Sequence, residues 1–150
     1  MVGEVFPIVP SSAASLWVIF GIVIFLLIFL ALFGFIGYWA RNTKFELTDG
    51  GLQIRGGIYR RFIPKSSLIR EDAKILDLNA DGEYRPKLRT NGIGLPGYNA
   101  GWFKLRNGDK ALLFVTNPSK VIYIPSKEGY SVLLSTSRPE EFLTLIGELW

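Results

Sequence analysis

The sequence predicts a mainly β domain that is closed by one C-terminal helix and preceded by one transmembrane helix. The stretch from Val5 to Ala40 contains no charged residue, whereas the segments after it are short, alternate in polarity and are separated by turn residues. The final segment repeats its apolar positions with a helical period. We therefore expect a short extracytoplasmic N-terminus over residues 1–15, a transmembrane helix over 16–40 and a cytoplasmic β domain over 41–150.

The apolar stretch is long enough to cross a bilayer as a helix. Its dense part, from Leu16 to Trp39, is about 24 residues and reaches roughly 36 Å, against a hydrocarbon core of about 30 Å. A cleaved signal peptide would need a basic start and a shorter apolar core, whereas the residues before Leu16 carry only Glu4. Aromatic side chains suited to the membrane interface stand at both ends of the stretch: Trp17, Tyr38 and Trp39.

Basic residues give the expected orientation of this anchor. All 17 Lys and Arg residues follow Ala40, beginning with Arg41 and Lys44. Because basic flanks stay on the cytoplasmic side, we expect a single-pass protein of the cell inner membrane with its N-terminus outside and its C-terminal domain in the cytoplasm. Small residues form a stripe along the helix where another helix could pack, although such residues are also simply frequent in membrane helices: Ala31, Gly34 and Gly37.

The composition excludes several kinds of chemistry. The 150 residues include no Cys and no His, which removes disulfides, thiolate sites, imidazole bases and Ser-His-Asp triads. Two Ser-Lys pairs, at 119–120 and 126–127, lie in polar turns that keep the lysine protonated. The net charge of +4 suits an anionic membrane surface better than nucleic acid. We expect no catalysis, no metal, no cofactor and no nucleic-acid partner.

The alternating segments after Arg41 predict an antiparallel sheet. Turn residues separate the segments, and Asn107 with Gly108 is a strong signal for a tight hairpin because both tolerate positive φ. In the second half of the domain we expect three consecutive hairpins that form a meander, preceded by a long glycine-rich connection. The predicted strands centre on 45–47, 52–54, 58–64, 74–78, 101–105, 110–116, 121–124 and 130–134.

The C-terminal segment changes to a helical period. We expect Ser137 to cap this helix with Glu140 as its capping-box partner, Pro139 to lie in the first turn, and the two acidic residues to suit the positive end of the helix dipole. We further expect Trp102 and Phe142 to be core residues that join the sheet to the helix. The apolar positions expected on one helix face are Phe142, Leu145, Ile146 and Leu149.

Four stretches resemble the bacterial pleckstrin-homology-like (PH-like) domains. They are TNGIGLPGY at residues 90–98, GWFKL at 101–105, GDKAL at 108–112 and PEEF at 139–142, and the resemblance covers roughly Lys44 to Leu149. It implies a bent antiparallel sheet, or partly open barrel, that is capped by the C-terminal helix and used for binding. The first hairpin departs from eukaryotic relatives, because Thr48-Asp49-Gly50-Gly51 stands where they carry a basic cluster for phosphoinositides.

Two groups of residues are candidates for binding an anion or a partner. In the glycine-rich connection, exposed backbone donors with basic side chains on the rim could hold a lipid phosphate, or the glycines could simply let the chain pass close to Trp102. The spacing of its glycines also matches a dinucleotide fingerprint, but no helix follows as that site requires. The residues of this candidate are Gly92, Gly94, Gly97, Lys87 and Arg89. A second basic patch contains Arg60 and Arg61, with Lys65 and Arg70.

Three functions fit these observations. The first is a membrane-tethered adaptor that binds a protein partner or its own copies through an exposed edge strand or apolar patch. The second is direct binding of anionic lipid headgroups by Lys87, Arg89 and the Arg60 patch. The third is an accessory subunit of a membrane enzyme or transporter, which would use the small-residue stripe of the helix.

Overall fold

The computed structural model describes Val2 to Trp150 and divides the chain into two compact units, with the division between Tyr38 and Trp39. Over the described residues there are two α-helices, nine strands and three short 3-10 helices, at Lys65–Ser67, Arg70–Asp72 and Gly82–Tyr84. The α-helices and strands are α1 Ala13–Asn42, β1 Lys44–Thr48, β2 Gly51–Arg55, β3 Arg61–Pro64, β4 Lys74–Leu76, β5 Pro86–Leu95, β6 Tyr98–Leu105, β7 Lys110–Val115, β8 Val121–Pro125, β9 Tyr130–Leu134 and α2 Pro139–Leu149.

Helix α1 has 30 residues and no buried side chain. It is uncharged and almost entirely apolar until Arg41, the basic residue of its last turn. By length and composition it is able to cross a membrane. The helix begins three residues before the predicted start and extends two residues beyond the predicted end, because Ala13 and Ala14 at one end and Arg41 and Asn42 at the other also take helical geometry.

The second unit contains two β-sheets. The smaller sheet has the order β1-β2-β3 and is antiparallel throughout. The larger sheet has the order β4-β8-β9-β7-β6-β5, and its pairs are antiparallel except for the parallel pair of β7 with β9. The mainly β fold with a C-terminal helix, predicted from the sequence, is therefore confirmed.

The predicted meander is wrong in its strand order. Strands β6 and β7 form the expected hairpin, but β9 inserts between β7 and β8 and pairs with both. The segment from Thr116 to Lys120 therefore bridges two strand spacings, about 10 Å, instead of one. Strands with both faces buried favour the centre of a sheet. This applies to β7, whose residues from Ala111 to Val115 are all buried.

Three other local predictions need correction. The third strand begins at Arg61 instead of Ile58, because Gly56 and Gly57 have positive φ and the turn continues through Tyr59. The fourth strand ends at Leu76 instead of Leu78. The long glycine-rich connection expected before residue 101 is instead strand β5 with its turn into β6.

The capping box predicted for α2 is also wrong. Arg138 is the N-cap residue, no side chain caps the helix, and the Arg138 carbonyl accepts a hydrogen bond from the Phe142 N–H at 3.1 Å. Pro139 does occupy the first turn, where its missing N–H costs nothing. On the inner face Phe142 and Ile146 are buried, whereas Leu145, which was expected on that face, is 37% exposed.

Both faces of the larger sheet are covered by apolar groups. Residues alternate along β7, so that Leu112 and Phe114 face a core shared with the smaller sheet and α2, while Leu113 and Val115 face a second cluster. That second cluster is completed by Leu78, from the segment between β4 and β5. Two packed faces explain why β7 is a continuous apolar run and not an alternating one.

Candidate binding surfaces

Strand β5 carries Lys87 and Arg89 along a free edge of the larger sheet. It pairs with β6 on one side only, and its register shifts on either side of Leu88, where bulges interrupt the ladder. Lys87, Leu88 and Arg89 are all exposed. A shallow hollow of about 340 Å³ brings Lys87 and Arg89 together with Gly94 and Phe103. Three of the predicted candidate residues therefore lie in one place.

The glycines of β5 serve the pairing of the strands. Gly92 lies opposite Gly101 of β6, and a Cβ on Gly92 would lie 2.5 Å from the Ala100 carbonyl oxygen. Gly101 has a φ of 109°, and a Cβ there would lie 2.7 Å from the Gly92 Cα. Gly97, with a φ of 76°, lies in the turn between the strands. The interpretation that the glycines allow a close passage of the chain fits this geometry, because Gly92 and Gly94 belong to a paired strand and not to an open loop.

Arg61 lies on the opposite face of the larger sheet from Arg89. Its guanidinium is 5.3 Å from the Trp102 ring centroid, whereas the side chain of Arg89 lies beside Gly94 in the hollow lined by Phe103. Consecutive residues of a strand point to opposite faces, so Trp102 and Phe103 separate the two arginines. The predicted basic residues are therefore divided between two surfaces.

The Trp102 ring contacts one aromatic ring and two cationic side chains. The Trp102 and Tyr130 rings are 5.1 Å apart at 80°, and the Lys110 Nζ lies 4.6 Å from the Trp102 centroid, near Arg61. Burial raises the pKa of Tyr130, and the neighbouring Arg61 opposes that rise. Trp102 is only partly buried, because its position on β6 is at the rim of the core. The prediction that Trp102 is a core residue is confirmed only in part, because Trp102 packs against the core that contains Phe142 without being fully buried, whereas Phe142 is buried as expected.

A groove runs between β1 and the start of α2, and we call it the β1 groove. Its volume is about 640 Å³, within the range of 300–1,000 Å³ typical of ligand sites. One wall is the outer edge of β1, and the other is the segment that leads into α2. The groove is lined by Thr43, Lys44, Phe45, Glu46, Leu47, Ser135, Thr136, Ser137, Arg138, Glu141, Phe142 and Leu145.

The backbone of β1 presents free hydrogen-bonding groups to this groove. Pro64 of β3 lies opposite Gly51 and has no N–H, so Gly51 directs its own N–H and C=O toward β1 instead. Hydrogen-bonded and non-hydrogen-bonded residue pairs alternate along an antiparallel ladder, so Gly51, Gln53 and Arg55 form the backbone hydrogen bonds with β1. The N–H and C=O groups of Phe45 and Leu47 therefore point to the outer edge of the sheet. Among the described residues, neither forms a backbone hydrogen bond outside the sheet.

The polar side chains of the β1 groove are mostly paired. Glu46 bonds Arg55 at 2.8 Å and Arg138 bonds Glu141 at 3.0 Å, whereas no carboxylate of the described residues lies within 4 Å of Lys44. The Thr136 hydroxyl oxygen is buried and has no hydrogen-bond partner within the described chain. Sequence reasoning missed this groove. The one local signal that could have indicated the groove was Pro64, which determines which residues of β2 form backbone hydrogen bonds with β1 in the small sheet.

Most of the residues predicted to anchor and pack α1 lie on an open surface of the helix. Trp17 is 71% exposed and contacts Phe20 edge to face at 6.0 Å, and Tyr38 is 64% exposed. Ala31, Gly34 and Gly37 are exposed, and a Cβ added at either glycine would meet no atom within 4 Å. Trp39 is partly buried. Across Val2–Trp150 no three acidic side chains come together in a group that could hold a metal ion.

The comparisons with known proteins agree with the fold. A sequence model described as the bacterial PH domain matches residues 43–148, which begins where α1 ends and includes all nine strands of the described chain and most of α2. No curated protein and no solved structure matches the chain. The match spans more than half of the chain and coincides with the two-sheet unit and its C-terminal helix. The chain therefore belongs to the bacterial PH domain family.

Proposed function

We propose that this chain is a membrane-anchored, non-catalytic adaptor, whose bacterial PH domain holds an extended segment of another membrane protein in the β1 groove. In this proposal α1 is a single-pass anchor in the cell inner membrane, with the N-terminus outside and the domain at the cytoplasmic face. Family membership supports a binding role, and the basic residues that begin at Arg41 support the orientation.

The observation that carries the proposal is the free edge of β1 inside a groove. A peptide that adds a strand to a sheet gains main-chain hydrogen bonds, and its alternate side chains enter flanking pockets. Phe45 and Leu47 offer the backbone groups, and the walls offer apolar surface from Phe142 and Leu145. Because the nearby acidic and basic side chains largely neutralise each other, we expect an apolar, uncharged segment.

The position of the groove in the chain supports a partner in the same membrane. Its wall begins at Thr43, directly after α1 ends, and β1 is only 5 residues long. At about 3.4 Å per residue, β1 covers roughly 17 Å from that point. A cytoplasmic segment close to the membrane exit of another anchored protein is within this reach, and anchoring in one bilayer raises its effective concentration.

Photo-crosslinking in native membranes tests the groove. A photoreactive residue in place of Leu145 should form an adduct with an extended segment adjacent to a transmembrane helix, whereas the same residue in place of the exposed Leu88 should not. Equal adducts from both positions, or adducts with lipid alone, would contradict the proposal. An adduct between two copies of this chain would indicate self-association through the groove instead.

A threonine pair gives a matched control for that experiment. The buried Thr136 hydroxyl has no partner in the free domain, so we expect it to bond the bound segment. Thr136→Val should reduce the adduct at position 145 while leaving the fold intact. Thr144→Val removes a hydroxyl that already donates to the Glu140 carbonyl oxygen at 3.0 Å, and it should leave the adduct unchanged.

Binding of anionic lipid headgroups at β5 is the second candidate function. It is favoured by Lys87 and Arg89, which are both exposed and have no carboxylate of the described residues within 4 Å. Charge reversal at both positions should weaken the association of a fragment from Thr43 to Trp150 with anionic vesicles, and added salt should do the same. Unchanged flotation of the double variant would exclude this candidate.

Protease protection tests the orientation. In intact cells or right-side-out vesicles, added protease should leave the domain from Arg41 to Trp150 undigested, because the positive-inside bias favours a cytoplasmic domain. Inverted vesicles provide the control, since there the same domain should be digested. Digestion in intact cells would reverse the proposed topology.

A further inference from the structure

The turn between β2 and β3, residues 56–60, packs against Asn42, the last residue of α1, and against Thr43, which follows it. Gly56 and Gly57 have φ values of 86° and 71°. A Cβ on Gly56 would lie 2.6 Å from the Asn42 carbonyl oxygen, and a Cβ on Gly57 would lie 3.7 Å from the Thr43 hydroxyl oxygen. The absence of a Cβ on Gly56 therefore allows this turn to touch the point where the chain leaves the helix, whereas a Cβ on Gly57 would make only an ordinary contact there.

The tip of the same turn exposes an apolar side chain. Ile58 is 61% exposed, and Arg60 is exposed with no carboxylate of the described chain within 4 Å. Between them Tyr59 packs inward, where its hydroxyl donates to the Asn91 side-chain oxygen at 3.4 Å. The inward tyrosine holds the turn to the domain, so that Ile58 and Arg60 remain on its outer surface.

We propose that this turn contacts the bilayer in which α1 is anchored, with Ile58 among the headgroups and Arg60 beside lipid phosphates. The apolar part of α1 ends at Arg41. A segment in van der Waals contact with Asn42 lies beside the residue that directly follows Arg41, and therefore close to the point where the apolar part of the helix ends. Ile58 gains free energy by leaving water, and an arginine is attracted to an anionic leaflet.

This inference goes beyond the proposed function, because its partner is the lipid surface and not a protein segment. It also uses different residues, and it holds on whichever side of the membrane the domain lies. Membrane contact by the turn would fix the domain close to the bilayer. A domain held in this way presents the start of the β1 groove at a constant height above the membrane.

Fluorescence of a single introduced cysteine tests the contact in the full chain. The sequence has no Cys, so Ile58→Cys can carry one environment-sensitive label, and Leu88→Cys is a matched control because Leu88 is 59% exposed on β5. In neutral phosphatidylcholine vesicles, we expect blue-shifted emission from the label at 58, with strong quenching by nitroxide lipids and weak quenching by iodide. The label at 88 should show the reverse. Equal iodide quenching of both labels, without nitroxide quenching at 58, would overturn the proposal.

Arg60 is tested in the same system. Adding anionic lipid should increase the nitroxide quenching at position 58, and Arg60→Gln should remove that increase. An increase that survives Arg60→Gln would overturn the role of this arginine. No protein partner is present in these vesicles, so the outcome does not depend on whether the β1 groove binds a segment.

Discussion

The free edges of β1 and β5 differ in how they are exposed. Strand β5 has 10 residues, two bulges and two exposed basic side chains, which are devices that prevent edge-to-edge pairing. Strand β1 has 5 residues and no register shift, and its edge lies inside a groove whose walls carry both polar side chains and the apolar side chains of Phe142 and Leu145. The edge of β5 is therefore protected against pairing with other chains, whereas the edge of β1 is free but accessible only to a strand that fits the groove.

The largest expected effect comes from removing the wall of the β1 groove. Phe142 is 8% exposed and packs in the core, so Phe142→Ala should cost about 3 to 5 kcal/mol of the free energy of unfolding. Leu145 lines the same groove and is 37% exposed, so Leu145→Ala should change the free energy of unfolding by no more than about 0.5 kcal/mol. Denaturant unfolding of the two variants measures the difference. Similar losses in both would show that α2 packs differently.

The next effect tests how β5 is bent. Gly101→Ala should destabilise the domain by about 2 kcal/mol or more, because it combines a positive φ with a clash against β5. Gly94→Ala is the matched control on the opposite strand, since a Cβ there would find ordinary contacts of 3.5 Å or longer. Thermal unfolding compares the two. A stable Gly101→Ala variant would mean that β5 and β6 are further apart.

A smaller effect concerns the backbone of β1. Amide protons of Phe45 and Leu47 should exchange faster than those of Glu46 and Thr48, because only the second pair bonds β2. Hydrogen exchange followed by NMR on the full chain in nanodiscs measures all four in one sample. Uniform protection along β1 in the free protein would indicate that its outer edge is already paired.

The smallest effect is a pH dependence at the start of α2. The Glu140 backbone N–H lowers the pKa of the Glu140 carboxyl, with help from Lys120 at 3.1 Å. A carboxyl with a lowered pKa stabilises the fold above its ordinary pKa, and this contribution disappears as pH falls through the folded value. Glu140→Gln should therefore make the melting temperature depend less on pH between about pH 5 and pH 3. A pH profile of Glu140→Gln as steep as that of the original chain would contradict this contribution.

Local signals were sufficient for several elements. The hairpin at Asn107 and Gly108 forms as predicted, and Pro139 with Glu140 and Glu141 begins a helix. These features depend on neighbours in sequence, whose preferences for turns and helix ends are strong. The prediction failed for Ser137, because the backbone reaches helical geometry only after Arg138 and no side chain is positioned to cap it.

The candidate sites were harder to predict because they depend on which faces meet. Lys87, Arg89 and Gly94 do come together, whereas Arg61 lies over Trp102 on the other face of the sheet. A difference of one residue in a strand decides that face, and the bulges of β5 shift the register. The prediction had no means of locating bulges.

The sequence by itself determined the apolar helix, the mainly β class of the domain and its C-terminal helix. Each follows from a run or a period of apolar residues, which acts through neighbouring positions. The tertiary structure alone decided the parallel pair of β7 and β9, the groove beside β1 and the contact of Gly56 with Asn42. These depend on pairing between distant segments, where hydrogen-bond phase, burial of both strand faces and the space for a Cβ act together, and a local signal such as Pro64 does not specify them alone.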